Sequence, residues 1–293
     1  PAGSDTVVIQ ENADANGNEV TFREPCKPGA NVRRQGHDVE KGSVLLSAGH
    51  RIRPADIGLL ACVGVSDVTV RKPLRVAVIA TGNELTPVGE TLTAGSLYDS
   101  NGPMLTALLA QLGMKVIDGG RVGDDLPSTR TRLRELAGRA DVLLTTGGVS
   151  VGEEDHVKAA IEAEGELNLW KVRIKPGKPL GFGRIVNTPW FGLPGNPVSA
   201  FVTFQLFVRP WLLKSQGASE LHLKRVTLAA GFEWPKAGAR QEYLRGRIEA
   251  GVVQLHLRQG SDALSGISWA DCLVELPAGQ MVKIGDKVTV LLV

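Results

Sequence analysis

Cysteine is scarce in this chain: Cys26, Cys62 and Cys272 stand far apart in 293 residues, without CxxC spacing or histidine companions. The odd number and wide spacing exclude a disulfide framework and a thiolate zinc site, and they point to a reducing compartment. Charge of one sign is lacking as well. The formal net charge is +2, so no overall field calls for nucleic acid or a membrane as partner, and any anion site has to be a local patch. No apolar run approaches the roughly 20 residues that a membrane-spanning helix needs, and nothing near the N-terminus has the form of a signal peptide. A cytoplasmic protein is the expectation. Internal repeats and low-complexity segments are missing too. What is present is a hydrophobic content of 43%, enough for real cores in two or three domains. Because the chain starts at Pro1 rather than Met, it is read as the remainder of something longer.

The stretch around which the rest is organised runs from Asp141 to His156. An apolar run, Val142-Leu143-Leu144, ends in Thr145-Thr146-Gly147-Gly148-Val149-Ser150-Val151-Gly152 and then in Glu153-Glu154-Asp155. It reads as strand, loop, helix. Glycines let backbone N–H groups approach an anion closely, a following helix start adds its dipole, and Thr146 and Ser150 offer hydroxyl donors. Acids beside a bound phosphate repel it unless a cation bridges them, which a hard metal such as Mg2+ would do. An ordinary βα turn whose acids favour the helix start is the other reading.

Residues 1–72 carry short β-prone pieces at 6–10, 20–23, 44–46 and 68–70, with turn-rich segments such as 12–18 between them and a helical stretch from Pro54 to Leu60. This first unit is mostly β. Within it, Arg33-Arg34-Gln35-Gly36-His37-Asp38 is either a ligand loop or a solvated turn. From Leu74 the pattern changes to alternating strands and helices over residues 73–217. Strands are expected at 74–80, 116–117 and 142–146, and helices after Asn101, over 128–137 and up to Glu164. Such βα units imply an open, mainly parallel α/β sheet with ligands at the C-terminal strand ends. Glu84, Asp124 and Asp155 each follow a predicted strand, so three acids should share one rim. Alternation then places Lys171, Arg173 and Lys175 on one face of a strand, and residues 171–184 hold five cations, Lys178 among them, and no acid. An anionic ligand explains that patch better than solvation does. The segment Gly192-Leu193-Pro194-Gly195-Asn196-Pro197-Val198-Ser199 repeats strand, turn and helix, with Asn196 as N-cap and Pro197 at the first helical position. Residues 218–293 return to short strands at 225–229, 242–249, 252–257 and 287–293, a small β barrel or sandwich. Its turn at Arg258-Gln259-Gly260-Ser261 is a hairpin end that could reach a ligand.

Four motifs in this order, Thr81-Gly82-Asn83-Glu84-Leu85, Thr146–Gly152, Lys175-Pro176-Gly177-Lys178-Pro179 and Gly192–Ser199, make the chain resemble the molybdopterin molybdenumtransferases, the MoeA-like family that includes the gephyrin E domain. The resemblance covers residues 1–293. It implies a molybdopterin-binding α/β domain flanked by two β-rich domains, a homodimer, and Mg2+-dependent insertion of molybdate into adenylylated molybdopterin with release of AMP. By motif, Glu84, Asp124 and Asp155 match the family's functional acids and would hold the metal. Lys171, Lys175, Arg33, Asp38, Pro194, Pro197 and Ser261 match other active-site positions. Gly147, Gly148, Ser150, Gly152, Lys178, Asn196 and Ser199 complete the expected substrate cradle. Two departures stand out: Asn83 occupies a position that is usually acidic, and the family's DNSAMDGYA-like N-terminal motif is missing from the sequence.

No cysteine lies near these motifs, so molybdate is expected to be held as an oxyanion by Ser, Lys, Arg and backbone N–H, its later sulfur ligands coming from the substrate. Two other readings stay open. One is a molybdopterin-binding scaffold of the gephyrin type, against which the acidic rim argues. The other is the molybdopterin adenylyltransferase, against which the flanking β units argue; that enzyme could also be the partner that supplies the substrate.

Overall fold

A computed structural model describes residues 2–149 and 156–293. The chain divides into two units, Pro1–Ser47 with Ile52–Ser66, and Ala48–Arg51 with Asp67–Val293. In the first unit, β1 (Ala13–Asn16) and β2 (Glu19–Phe22) form an antiparallel hairpin that turns at Gly17, and the helix α1 covers Pro54–Cys62. The Asp14 and Arg23 side chains pair across the hairpin at 2.6 Å. Helix α1 begins where its sequence says it should: Pro54 takes the first turn, and the Asp56 carboxylate accepts the Arg53 N–H at 2.8 Å. Among the described residues of this unit only Asp56 is buried. The strands expected at 6–10 and 44–46 are not formed, because neither has a partner strand or a core to face, and the segment read as a turn at 12–18 contains β1. The strand expected at 68–70, which belongs to the second unit, is not formed either.

The second unit is built on β3 (Arg75–Thr81), β4 (Leu85–Thr86), β5 (Leu97–Tyr98), α2 (Asn101–Gln111), β6 (Lys115–Val122), α3 (Leu126–Ala137), β7 (Val142–Thr146) and α4 (His156–Glu164). It continues through β8 (Gly165–Lys171), β9 (Ile174–Lys175), β10 (Pro179–Ile185), β11 (Thr188–Leu193) and a helical run of α5 (Pro197–Thr203), a π turn over Phe204–Val208 and α6 (Arg209–Ser215). The main sheet has the order β6-β3-β7-β11-β10-β8. Pairings among β6, β3, β7 and β11 are parallel, and β10 and β8 close the edge antiparallel.

Strand alternation sorts its side chains to two faces. Val76, Val78, Val142 and Leu144 enter a core with Leu105, Leu109, Phe204 and Leu212, whereas Ala77, Ile79 and Leu143 enter a second core with Leu133, Ile161 and Trp190. Helices therefore cover both faces, as a parallel sheet requires. Trp190 is fully buried, and its indole N–H donates to Thr145 Oγ1 at 3.1 Å.

The remaining strands are β12 (Arg225–Ala230), β13 (Gln241–Glu249), β14 (Val252–Leu255), β15 (Cys272–Leu276) and β16 (Lys287–Leu292), with the short helix α7 (Leu264–Trp269) between β14 and β15. They close in the order β14-β12-β16-β15-β13, with β13 pairing back to β14, so the C-terminal region is a small barrel. Strand β9 adds to β13 in parallel. That pairing corrects the expected continuous basic strand: β8 stops at Lys171, and the chain crosses to another sheet before Lys175, so Lys171, Arg173 and Lys175 do not share one strand face. Ile174, Val198, Phe201 and Val202 pack with Tyr243, Leu273 and Leu291, which joins the barrel and the α/β sheet through one core.

Candidate functional site

Four parallel strands end on the same side of the sheet, and the turns that follow them make the site. After β3, Gly82 has φ +139°, and the Glu84 side chain folds back so closely that a Cβ on residue 82 would meet its carboxylate. After β6, Asp124 and Asn83 hold each other: Asn83 N–H donates to Asp124 Oδ2 at 3.0 Å, and Asp124 N–H donates to Asn83 Oδ1 at 3.2 Å. Asn83, the residue that departs from the family pattern, thus fixes the orientation of the acid beside it. The next residue, Asp125, caps α3 by accepting Ser128 N–H at 2.8 Å, and that bond holds its carboxyl below the usual carboxylate range.

After β7, Gly147 and Gly148 have φ of +90° and +60°. A Cβ on Gly147 would overlap the Thr81 carbonyl, so this turn needs glycine for space as well as for conformation. Gly147 N–H donates to Leu193 O at 3.1 Å, which ties the turn to the end of β11. Beyond β11 come Pro194, Gly195 and Asn196, and Pro197 opens α5. Asn196 stands at the N-cap position as expected, although its side chain makes no capping bond.

These turns surround a cavity of about 980 Å3. Glu84 and Asp124 line it together with Gly147 and Gly148, and Pro194, Asn196, Pro197 and Ser199 line the side next to β11. The structure therefore brings Gly147, Gly148, Pro194, Asn196, Pro197 and Ser199 of the expected cradle together. Leu85, Leu97 and Tyr98, from the small β4–β5 ribbon, add an apolar wall. Asp99 and Asn101 enter from the start of α2, and Asp262 from the barrel.

Asn101 is buried in the lining, at 7% exposure. Its Nδ2 donates to Gly195 O at 2.7 Å and to Thr146 Oγ1 at 2.8 Å, and Thr146 Oγ1 in turn donates to Pro194 O at 3.3 Å. The loop that carries Ser261 and Asp262 is staked from behind. Fully buried Arg245 donates through Nη2 to Arg258 O at 3.1 Å and Gly260 O at 2.9 Å, and Ser261 O accepts Val198 N–H at 3.1 Å. Burial pulls the Arg245 pKa down to about 10, against a smaller opposing attraction from the Asp262 carboxylate.

Other expected residues are placed elsewhere. Lys171, Lys175 and Lys178 are exposed and do not line the cavity; Lys175 pairs with buried Glu242 at 3.3 Å. Arg33 and Asp38 are exposed in the first unit. Ser150, Gly152 and Asp155 lie outside the described residues. Among the described residues no group of three or more His, Cys, Asp and Glu could hold a metal ion, so the expected metal rim is represented by Glu84 and Asp124.

Asn101, Asp99, Asp262 and Arg245 were not among the residues that the sequence singled out. The polar run before α2 reads as helix capping, which it also is: Asp99 Oδ1 accepts Gly102 N–H at 2.9 Å. A better signal was available for Arg245, a cation at an otherwise buried position of β13.

Comparison with known proteins gives a consistent picture. Residues 1–64 match the family model "MoeA N-terminal region (domain I and II)", residues 77–214 match "Probable molybdopterin binding domain", and residues 227–293 match "MoeA C-terminal region (domain IV)". The molybdopterin molybdenumtransferase of Haemophilus influenzae is 38% identical over 298 residues, covering 99% of this chain and 74% of that protein. The molybdopterin molybdenumtransferase 2 of Mycobacterium tuberculosis is 33% identical, covering 98% of this chain and 74% of that protein. Among solved structures, the molybdopterin biosynthesis moeA protein of Pyrococcus horikoshii OT3 superposes with a TM-score of 0.80 at 28% identity, over 100% of this chain and 73% of that one.

Proposed function

The chain belongs to the molybdopterin molybdenumtransferase family, a transferase family of molybdenum cofactor biosynthesis, and from that premise we propose that its cavity inserts molybdate into adenylylated molybdopterin with release of AMP. One observation carries this reading: a glycine turn, a helix start and two carboxylates, from turns distant in sequence, converge on a single cavity. The backbone N–H of Gly148 and the hydroxyl of Ser199 would take phosphoryl oxygens of the substrate.

Glu84 and Asp124 are hard oxygen donors. Mg2+ is commonly held by one or two carboxylates plus substrate phosphates while keeping several waters, and this pair fits that manner of binding. Asp155 would join them, by motif. When bound, the ion would neutralise charge on the phosphoanhydride as AMP leaves. Molybdate is a substrate. By motif, Lys171, Lys175 and Ser261 would receive it as an oxyanion, and Gly152, Ser150, Lys178, Asn196 and Pro197 would complete the substrate's surroundings. A homodimer, a cytoplasmic setting and substrate supply by the adenylyltransferase belong to the same proposal. Among the described residues no helix is long and apolar enough to cross a membrane.

The test is AMP release from adenylylated molybdopterin with and without Mg2+. Glu84→Gln and Asp124→Asn should fold as wild type does and each lower the Mg2+-dependent rate at least about tenfold, the equivalent of roughly 1.4 kcal/mol. Unaltered rates in both variants would remove the carboxylates from the mechanism.

A further inference from the structure

The barrel holds a charge that its own stability does not call for. Arg245 of β13 is fully buried, and among the described residues its Nε and Nη1 have no hydrogen-bond partner. Helix α7 closes over it at Gly266, where a Cβ would stand 3.4 Å from Nε. An enclosed guanidinium with unpaired donors destabilises a core, and an apolar side chain of similar volume usually serves the fold at least as well. Even with its pKa pulled down to about 10, the group keeps its charge at neutral pH. The rules of core composition are broken chiefly where function needs it.

What Arg245 does is hold one turn. Its Nη2 bridges Arg258 O at 3.1 Å and Gly260 O at 2.9 Å. The backbone of the same residue closes the turn from the other side: Arg245 N–H donates to Gln259 Oε1 at 3.0 Å, and Gln259 Nε2 donates to Arg245 O at 3.0 Å. Residues 258–260 are thereby fixed to a single position of β13. The turn continues into Ser261, whose carbonyl accepts Val198 N–H of α5 at 3.1 Å, and into Asp262, which lines the cavity. Resting on the function proposed above, we propose that Arg245 is a positioning residue: it keeps the turn at 258–262 set against the start of α5, so that the barrel's part of the cavity wall is formed before molybdate arrives. The residue touches no substrate. Its effect falls on molybdate because Ser261, matched by motif to the active site, stands on the held turn. A turn that is formed in only a fraction of the molecules lowers the apparent affinity by that fraction.

The experiment measures molybdate-dependent AMP release in wild type, Arg245→Met and Gln259→Ala. In Arg245→Met the KM for molybdate should rise at least about tenfold while kcat stays within about twofold of wild type. The melting midpoint should stay close to that of wild type, since a buried charge gives way to an apolar chain. Gln259→Ala frees the same turn and leaves the guanidinium in place, so its KM should rise as well, by at least about threefold. Arg247→Met is the control. That arginine donates to Trp269 O at 2.9 Å and stacks on the Trp269 ring at 4.6 Å, so it holds the end of α7 rather than the turn, and its loss should leave the KM unchanged. A residue that only braced the barrel would lower kcat or the melting midpoint and leave the KM alone.

A second measurement follows the turn itself. Backbone amide exchange at residues 259–262 should be faster in Arg245→Met than in wild type, with β12 and β16 unaltered, and molybdate together with AMP should slow it again. An unaltered KM in Arg245→Met, an equal rise in Arg247→Met, or unchanged exchange at the turn overturns the assignment and leaves the proposed function standing. If Arg245→Met does not fold, Gln259→Ala decides by the same two readouts. Wild type that releases AMP independently of molybdate counts against the proposed function itself, and the assignment falls with it.

Discussion

Single residues set how firmly the strand ends are held. Asp141, just before β7, accepts Arg75 N–H at 2.8 Å and pairs with the Arg75 guanidinium at 2.8 Å, which holds its carboxyl below the usual range. A depressed folded-state value means that this contribution is fully present above the unfolded carboxylate pKa, near 4, and is lost as pH falls through the lower folded value. Asp141→Asn should therefore lower the urea midpoint at pH 7, and the gap from wild type should close toward pH 3. A gap that is constant with pH would show that the charge is irrelevant. At this scale the sequence was informative where a residue type has one dominant use. Gly147, Gly148 and Pro197 announce a turn and a helix start, and Glu84 and Asp124 announce a rim. It was silent on Asn101, because an asparagine where a helix is expected to start has an ordinary use in capping, and only the fold reveals that it opens α2 and that Thr146 and Gly195 take its amide instead.

Elements position these residues through their ends. Continuous apolar runs identify β3 and β7 because both faces of a parallel strand are covered, and the strand ends then follow from the glycines. Strands β8 and β9 were read as one, because alternation at Lys171, Arg173 and Lys175 is a local pattern, while the change of sheet is decided by the partner that Ile174 finds in β13. Strand β15 was missed for a related reason: residues 272–276 are apolar almost throughout, and their place between β13 and β16 is a long-range fact. The turn after β7 is the element on which most depends. Gly147→Ala has to force an L residue into φ +90° and against the Thr81 carbonyl, a cost of about 1–3 kcal/mol. The expected outcome is a lower melting midpoint together with weaker AMP binding by calorimetry; an alanine variant that binds as wild type does would show that the turn is not the phosphate cradle.

For the whole molecule, the barrel and the α/β sheet are parts of one unit. They share the core of Ile174, Val198, Phe201, Tyr243 and Leu291, and the barrel sends Asp262 into the cavity wall. The account's central claim is that this cavity is where molybdate meets adenylylated molybdopterin. The measurement that tests it most directly is AMP release by the wild-type chain as molybdate is titrated, with Mg2+ fixed, alongside Asp124→Asn. The account predicts release that rises with molybdate and saturates in wild type, and that is at least about tenfold slower in the variant at every molybdate concentration. Release that is independent of molybdate, or equal in the two proteins, would contradict it.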